Sequence, residues 1–229
     1  MVGIINTNQE QRVGWLHSMD LTEAIQITDE FARTQLGAES DATEFMTYIA
    51  SAESNYGNYE RGGMTQKWMD DALSYGPFQM DPIRYYDTVQ DPNLGEVHKK
   101  RIDKVNKFLR EKGYGEDFDI SKIAIYDPEI DDYSSKSDQT TMHDPLINSF
   151  LTRLALMKDD KAAPTETNEM QDRYFEFWGP ASKSDYKKSE ANKKYLNVKR
   201  DLMSPLESIK TENKVSDKVF NLLEEKPLF

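Results

Sequence analysis

The stretch DATEFMTYIASAESNYG, Asp41 to Gly57, decides how the rest of this chain is read. Phe45, Ile49 and Glu53 stand at i, i+4 and i+8, and Met46, Ala50 and Ala52 widen the same apolar stripe, so the segment is predicted to be a helix with one face in a core. Asp41 and Glu44 have capping-box spacing at its start. Glu53 falls on the packed side, just before Gly57 breaks the pattern. A carboxyl group there is either a helix-end charge held by a neighbouring cation or a group whose ionisation is disfavoured by desolvation. Desolvation would raise its pKa toward the range useful to a general acid.

The same period extends outward in both directions. DLTEAIQITDEFARTQLG opens on Asp20 and Glu23 in capping spacing, places Leu21, Ala24, Ile25, Phe31 and Ala32 on overlapping faces, and reaches Gly37 as a stop. Asp81-Pro82, Asp144-Pro145 and Ser204-Pro205 each read as an N-cap followed by proline at the first helical position. Val97, Arg101, Ile102, Val105, Phe108 and Leu109 describe a helix that stops near Gly113. DPLINSFLTRLALM is a strongly apolar helix, and Met170, Tyr174, Phe177 and Trp178 mark another that ends at Gly179. SDYKKSEANKKYLNVKR is charged and helical, which favours a solvated face. The fold class is therefore mainly α. Residues 58–74 read as a long loop, with a helical turn near Trp68 or a small hairpin, and residues 114–143 read as a polar, acidic loop insertion.

Composition narrows the function classes. The formal charge of -12 argues against nucleic acid as a partner, because such binding starts from a basic face that replaces phosphate counterions. With no cysteine, thiol nucleophiles and thiolate zinc sites are excluded, and the separation of His17, His98 and His143 along the chain disfavours a histidine metal centre. Asp127, Glu129, Asp131 and Asp138 have a trace of calcium-loop spacing, but Asp132 stands where such a loop needs glycine. No metal or cofactor is expected. No apolar run reaches the length of a membrane span, and the first residues lack the basic and apolar regions of a secretory signal.

A second element completes the pattern opened by Glu53. In SYGPFQMDP, Ser74 to Pro82, Gly76 permits close backbone approach and Gln79 offers an amide donor and a carbonyl acceptor. IASAESNYG followed by SYGPFQMDP resembles the paired signature of lysozyme-like lytic transglycosylases. In that family a helix ends in Glu-Ser, and a later Gly-x-x-Gln-x-x-Pro segment lines a sugar cleft. The resemblance implies a lysozyme-like helical domain over residues 38–200, flanked by an N-terminal helical segment, 1–37, and an amphipathic tail, 201–229.

It further implies that Glu53 is the catalytic acid and base, cleaving between N-acetylmuramic acid and N-acetylglucosamine in peptidoglycan. Ser54, Tyr56, Gly76, Gln79 and Tyr174 would contact substrate, with Tyr174 and Trp178 the nearest candidates for a late sugar-contacting motif of which the chain has no clear copy. Ser54 could equally satisfy a backbone group, Tyr56 and Tyr59 could pack the loop, and Trp178 reads most simply as a helix-end anchor. A lysozyme-type hydrolase would need a second carboxylate, for which Asp70, Asp71 and Asp81 are candidates. By analogy the protein is carried in a phage virion, acts in the host periplasm or cell wall, and touches other virion proteins. The rival expectation is a non-catalytic virion component that retains the lysozyme-like fold.

Overall fold

The computed structural model of the protein describes residues 19–54, 56, 74–127, 132–133, 138–159, 161–178 and 188–202. His17, Tyr59, Trp68, Asp70, Asp71, Glu129, Asp131, Gly179 and the segments 1–18 and 203–229 lie outside the described residues.

The described chain is mainly helical. Helix α1, Leu21–Phe31, starts where the Asp20 carboxylate accepts from the Thr22 N–H at 2.9 Å, and its last turn widens into a π-type segment, Ala32–Leu36. It ends at Gly37, whose φ of 75° lets the Ala38 N–H return to the Ala32 carbonyl at 3.0 Å. Helix α2, Thr43–Ser54, follows, with Asp41 accepting from the Thr43 N–H at 2.8 Å. Glu44 does not close a capping box with it. Its carboxylate instead accepts from the Tyr195 hydroxyl and pairs with Lys199 at 3.2 Å.

Helix α3, Pro82–Tyr85, is capped by Asp81 and continues as a π-type turn, Tyr86–Gln90. Helix α4, Glu96–Glu111, presents Ile102, Val105 and Leu109 to the core, whereas Val97, which the helical pattern placed on the same face, is 67 % exposed. The buried face of this helix runs through His98, Ile102, Val105 and Leu109, and Val97, about 100° round the helix from His98, meets solvent. A two-residue antiparallel pair, β1 (Tyr126–Asp127) and β2 (Asp132–Tyr133), and the single-turn helix α5, Gln139–Met142, lead to α6, Pro145–Lys158. Helix α7 spans Thr167–Phe177, and residues 188–202 form α8.

Helices α2 and α6 form the centre. Every residue of α6 from Leu146 to Met157 is buried, and α2 is buried on almost all sides, so both read as helices surrounded by others rather than as surface amphipaths. Helix α6 packs against α1, α2 and α4, and α7 packs against α2. The buried Asp29 carboxylate ties this centre together. It pairs with Arg33 at 2.8 Å and Arg153 at 3.1 Å, and it accepts from the Ala42 N–H at 3.0 Å.

The acidic stretch after Gly113 is irregular but anchored. Asn106 accepts from the Ile120 N–H at 2.7 Å, the Tyr85 hydroxyl donates to the Ile120 carbonyl at 2.8 Å, and Tyr114 donates to Asp144 at 2.9 Å. Ile120, Ile123 and Ala124 are buried beneath it. Helix α8 departs from the solvated face read in its sequence. Ala191 and Tyr195 are buried, while Lys193, Leu196 and Arg200 face solvent. Two apolar contacts and long amphipathic stems suffice to dock one edge of a highly charged helix.

Candidate active site

Glu53 projects from the last turn of α2 and keeps partial access to solvent. The Tyr174 hydroxyl, on α7, donates to Glu53 Oε1 at 2.7 Å. Burial pushes the Glu53 carboxyl up to about 7, against the Tyr174 hydrogen bond and the positive charges of Arg84 and Lys194, while Asp81 adds to the rise. Desolvation therefore outweighs all the groups that favour the anion. Tyr174 is itself held far above its ordinary range by burial and by the adjoining carboxyl group, so it stays a hydrogen-bond donor.

The segment Ser74–Pro82 forms a tight loop closed by Tyr75 and Met80, which exchange backbone bonds of 3.1 and 2.8 Å. Asn148, from the first turn of α6, fills it. Its Nδ2 donates to the Tyr75 carbonyl at 3.2 Å and its Oδ1 accepts from the Phe78 N–H at 3.1 Å. Gly76 has φ of 76°, and a Cβ there would stand 2.3 Å from Asn148 Cγ. Gly76 thus lies against α6, where it admits Asn148. Gly76→Ala is expected to lower unfolding free energy by about 1–3 kcal/mol through overpacking and backbone strain. Urea titration against wild type is the check, and an unchanged midpoint would contradict it.

Gln79 occupies the left-handed region at φ 51°, a conformation that costs about 1 kcal/mol or more for a residue with a side chain. Its amide nitrogen donates to the Gly76 carbonyl at 2.9 Å, which leaves its carbonyl oxygen and second amide hydrogen for a ligand among the described residues. Such strain in a non-glycine residue is a common mark of a ligand-facing turn.

Helix α7 joins this loop to Glu53. Trp178 lies one turn after Tyr174, is 4 % exposed, and donates from Nε1 to the Phe78 carbonyl at 2.9 Å. One face of α7 therefore holds the acid with Tyr174 and the glutamine loop with Trp178. Arg84 stacks over the Trp178 ring at 4.3 Å, donates to the Phe177 and Trp178 carbonyls at 3.2 and 3.4 Å, and pairs with Asp81 at 2.7 Å. Arg84 also borders a cavity of about 610 Å³ with Asp81, Ile83, Asp87, Lys158 and Phe177, and neither Glu53 nor Gln79 lines it.

The remaining candidates have structural partners. The Ser54 hydroxyl donates to the Ala50 carbonyl at 3.0 Å, closing the end of α2. Tyr56 shares a hydrogen bond of 3.0 Å with Thr22 on α1, and its N–H reaches the Ala50 carbonyl at 2.9 Å. Asp81 accepts from the Arg84 N–H at 2.8 Å and from its guanidinium, so of the three proposed second carboxylates the described one is already engaged. His98 is buried and bonded to the Thr88 carbonyl at 2.8 Å, and His143 stacks edge-on against Tyr75. Among the described residues no group of three or more histidine, aspartate and glutamate side chains is placed to hold a metal ion. No helix among them is long and apolar enough to cross a membrane.

Sequence reasoning missed Arg84, Asn148 and Lys194. Asn148 carried a signal, as the one amide in the apolar run from Leu146 to Met157, and Arg84 stands three residues after its partner Asp81. Nothing local marks Lys194.

No protein-family profile, curated protein or solved structure matches this chain.

Proposed function

We propose that the protein is a peptidoglycan lytic transglycosylase with Glu53 as its single general acid and base. The observation that carries this reading is the Glu53 carboxyl, half-buried at a helix end, hydrogen-bonded by Tyr174, poised near pH 7 and joined through α7 to the Gln79 loop. A proton donor needs a pKa near the working pH, so that it is still protonated when the glycosidic oxygen requires a proton.

In the first step Glu53 protonates the oxygen linking N-acetylmuramic acid to N-acetylglucosamine. The bond to the anomeric carbon breaks, the N-acetylglucosamine end leaves as an alcohol, and the acetamido oxygen of the muramoyl residue bonds to the anomeric carbon. Glu53, now a carboxylate, accepts the proton of the C6 hydroxyl. The C6 oxygen then displaces the acetamido group, giving a 1,6-anhydro ring and leaving Glu53 protonated as it began. No water is consumed. The engagement of Asp81 with Arg84 disfavours that residue as the second carboxylate of a hydrolase, and Asp70 and Asp71 lie outside the described residues.

The phage virion is the proposed setting, with local opening of the cell wall during genome delivery as the task. Digestion of purified peptidoglycan by wild type and Glu53→Gln, with products weighed by mass spectrometry, tests the reaction. Anhydro-muropeptides that vanish in the mutant are the expected result. Reducing-end fragments would identify a hydrolase, and no release by wild type alongside an active control enzyme would leave a non-catalytic assembly module.

Tyr174→Phe separates the donor from the acid. Its hydrogen bond favours the ionised carboxyl, so its loss is expected to move the alkaline limb of the pH–rate profile upward. A downward shift would contradict the assigned role.

A further inference from the structure

Helix α8 runs along one face of α2, the face that carries Glu44, Tyr48 and Ala52 at helical spacing. At the first turn of α2 the Tyr195 hydroxyl and the Lys199 ammonium meet the Glu44 carboxylate, the latter at 3.2 Å. At the middle, Tyr48 donates to Asn192 Oδ1 at 2.6 Å, and its ring lies 5.1 Å from Tyr195 and 5.7 Å from Tyr174. At the last turn Lys194 Nζ donates to the Ala52 carbonyl at 2.9 Å, on the residue directly before Glu53. Helix α8 thus grips α2 at both ends and in between.

The last of these contacts bears on chemistry. The C-terminal end of a helix carries partial negative charge on its free carbonyls, which disfavours a carboxylate beside it. An ammonium bonded to one of those carbonyls offsets that charge and fixes the turn from which Glu53 projects. We infer that Lys194 is a positioning residue for Glu53, anchoring the last turn of α2 to α8 and holding a positive charge beside the carboxyl group.

The groups facing Glu53 are Tyr174 from α7, Asp81 and Arg84 from the start of α3, and Lys194 from α8. Arg84 acts on the carboxyl group more strongly than Lys194 does, but it is also committed to Asp81, Phe177 and Trp178. Lys194 meets a neutral carbonyl and keeps its charge for the site. The consequence for turnover rests on the transglycosylase reading; the consequence for Glu53 ionisation does not.

The test uses the full chain and three substitutions. Lys194→Arg keeps charge and donor, Lys194→Gln keeps a donor without charge, and Lys194→Met keeps neither. The midpoint of Glu53 is followed by NMR of carboxyl-labelled glutamate, assigned with Glu53→Gln, after circular dichroism has established the fold of each variant. The midpoint is expected to rise by roughly half a unit or more in the Gln and Met variants and to stay near wild type in Arg. Should Met fail to fold, the Gln and Arg pair still decides the matter. No rise in Gln, or an equal rise in Arg, would overturn the inference.

The pH–rate profile on peptidoglycan gives the second readout, with the alkaline limb moving in the same order. Wild type that releases nothing while its Glu53 midpoint still answers to Lys194 would sink the transglycosylase reading and uphold the electrostatic role. Wild type that cleaves while the midpoint ignores Lys194 would do the reverse.

Discussion

Glu53→Gln is expected to lower the rate of peptidoglycan cleavage by about 10²- to 10⁴-fold, the usual contribution of a positioned general acid. Glutamine has nearly the same shape and can accept from Tyr174, so the loss reads proton transfer rather than packing. The same substitution should have an opposite effect on stability, and the sign follows from the raised pKa. The folded-state value is about 7, against an ordinary 4.5, so between these values the folded chain holds a proton that the unfolded chain has released. The contribution of this group is fully present below the unfolded value and is lost as pH rises through 7. Above that window the ionised carboxylate weakens the fold by about 3 kcal/mol at most.

Glu53→Gln removes that penalty. Its urea midpoint is therefore expected to match wild type near pH 4, below the unfolded value, and to exceed it near pH 8. A mutant less stable than wild type at pH 8 would contradict both the burial and the ionisation assigned to Glu53. An activity loss joined to a stability gain is the signature of a group held in an unfavourable state for function.

The largest loss of stability is expected at Asp29→Ala, about 3–5 kcal/mol by urea denaturation at neutral pH. Asp29 is wholly buried and faces Arg153, which is 3 % exposed. Removing the carboxylate strands that guanidinium without a counter-charge, although its donation to the Ser40 carbonyl at 2.7 Å remains. It also leaves the Ala42 N–H, buried at the entrance to α2, without its acceptor. Asp29→Asn keeps an oxygen for that N–H and is expected to lose less. Equal losses in the two variants would show that the ion pair contributes little beyond the hydrogen bond. Loss of this anchor displaces the start of α2, so a partly folded Asp29→Ala is also expected to show an altered Glu53 midpoint.

Asp29 illustrates where reading the sequence stops. In the run TDEF it looks like an exposed helix charge, because neither its partner on α6 nor the backbone at Ala42 leaves a local trace. The helix starts were legible for the opposite reason. Asp20, Asp81 and Asp144 bond to backbone N–H groups two or three residues ahead, so the whole interaction is contained in one short segment. The charged run that became α8 lies between these cases: its period was readable, but the choice of which edge docks depended on Tyr48 and Glu44, about 150 residues earlier.

The sequence by itself determined the mainly helical class, the inward phase of Glu53 at the end of an apolar helix, and the glycine, glutamine and proline of the later turn. These follow from periodicity, capping and the allowed backbone of glycine, all properties of neighbouring residues. Only the tertiary structure decided that Tyr174 bonds the acid, that Trp178 and Asn148 hold the glutamine loop, and that Arg84 and Lys194 bring positive charge to the same carboxyl group. The ionisation of Glu53 is a balance of desolvation against charges from separate helices. That balance exists only once those helices are packed together.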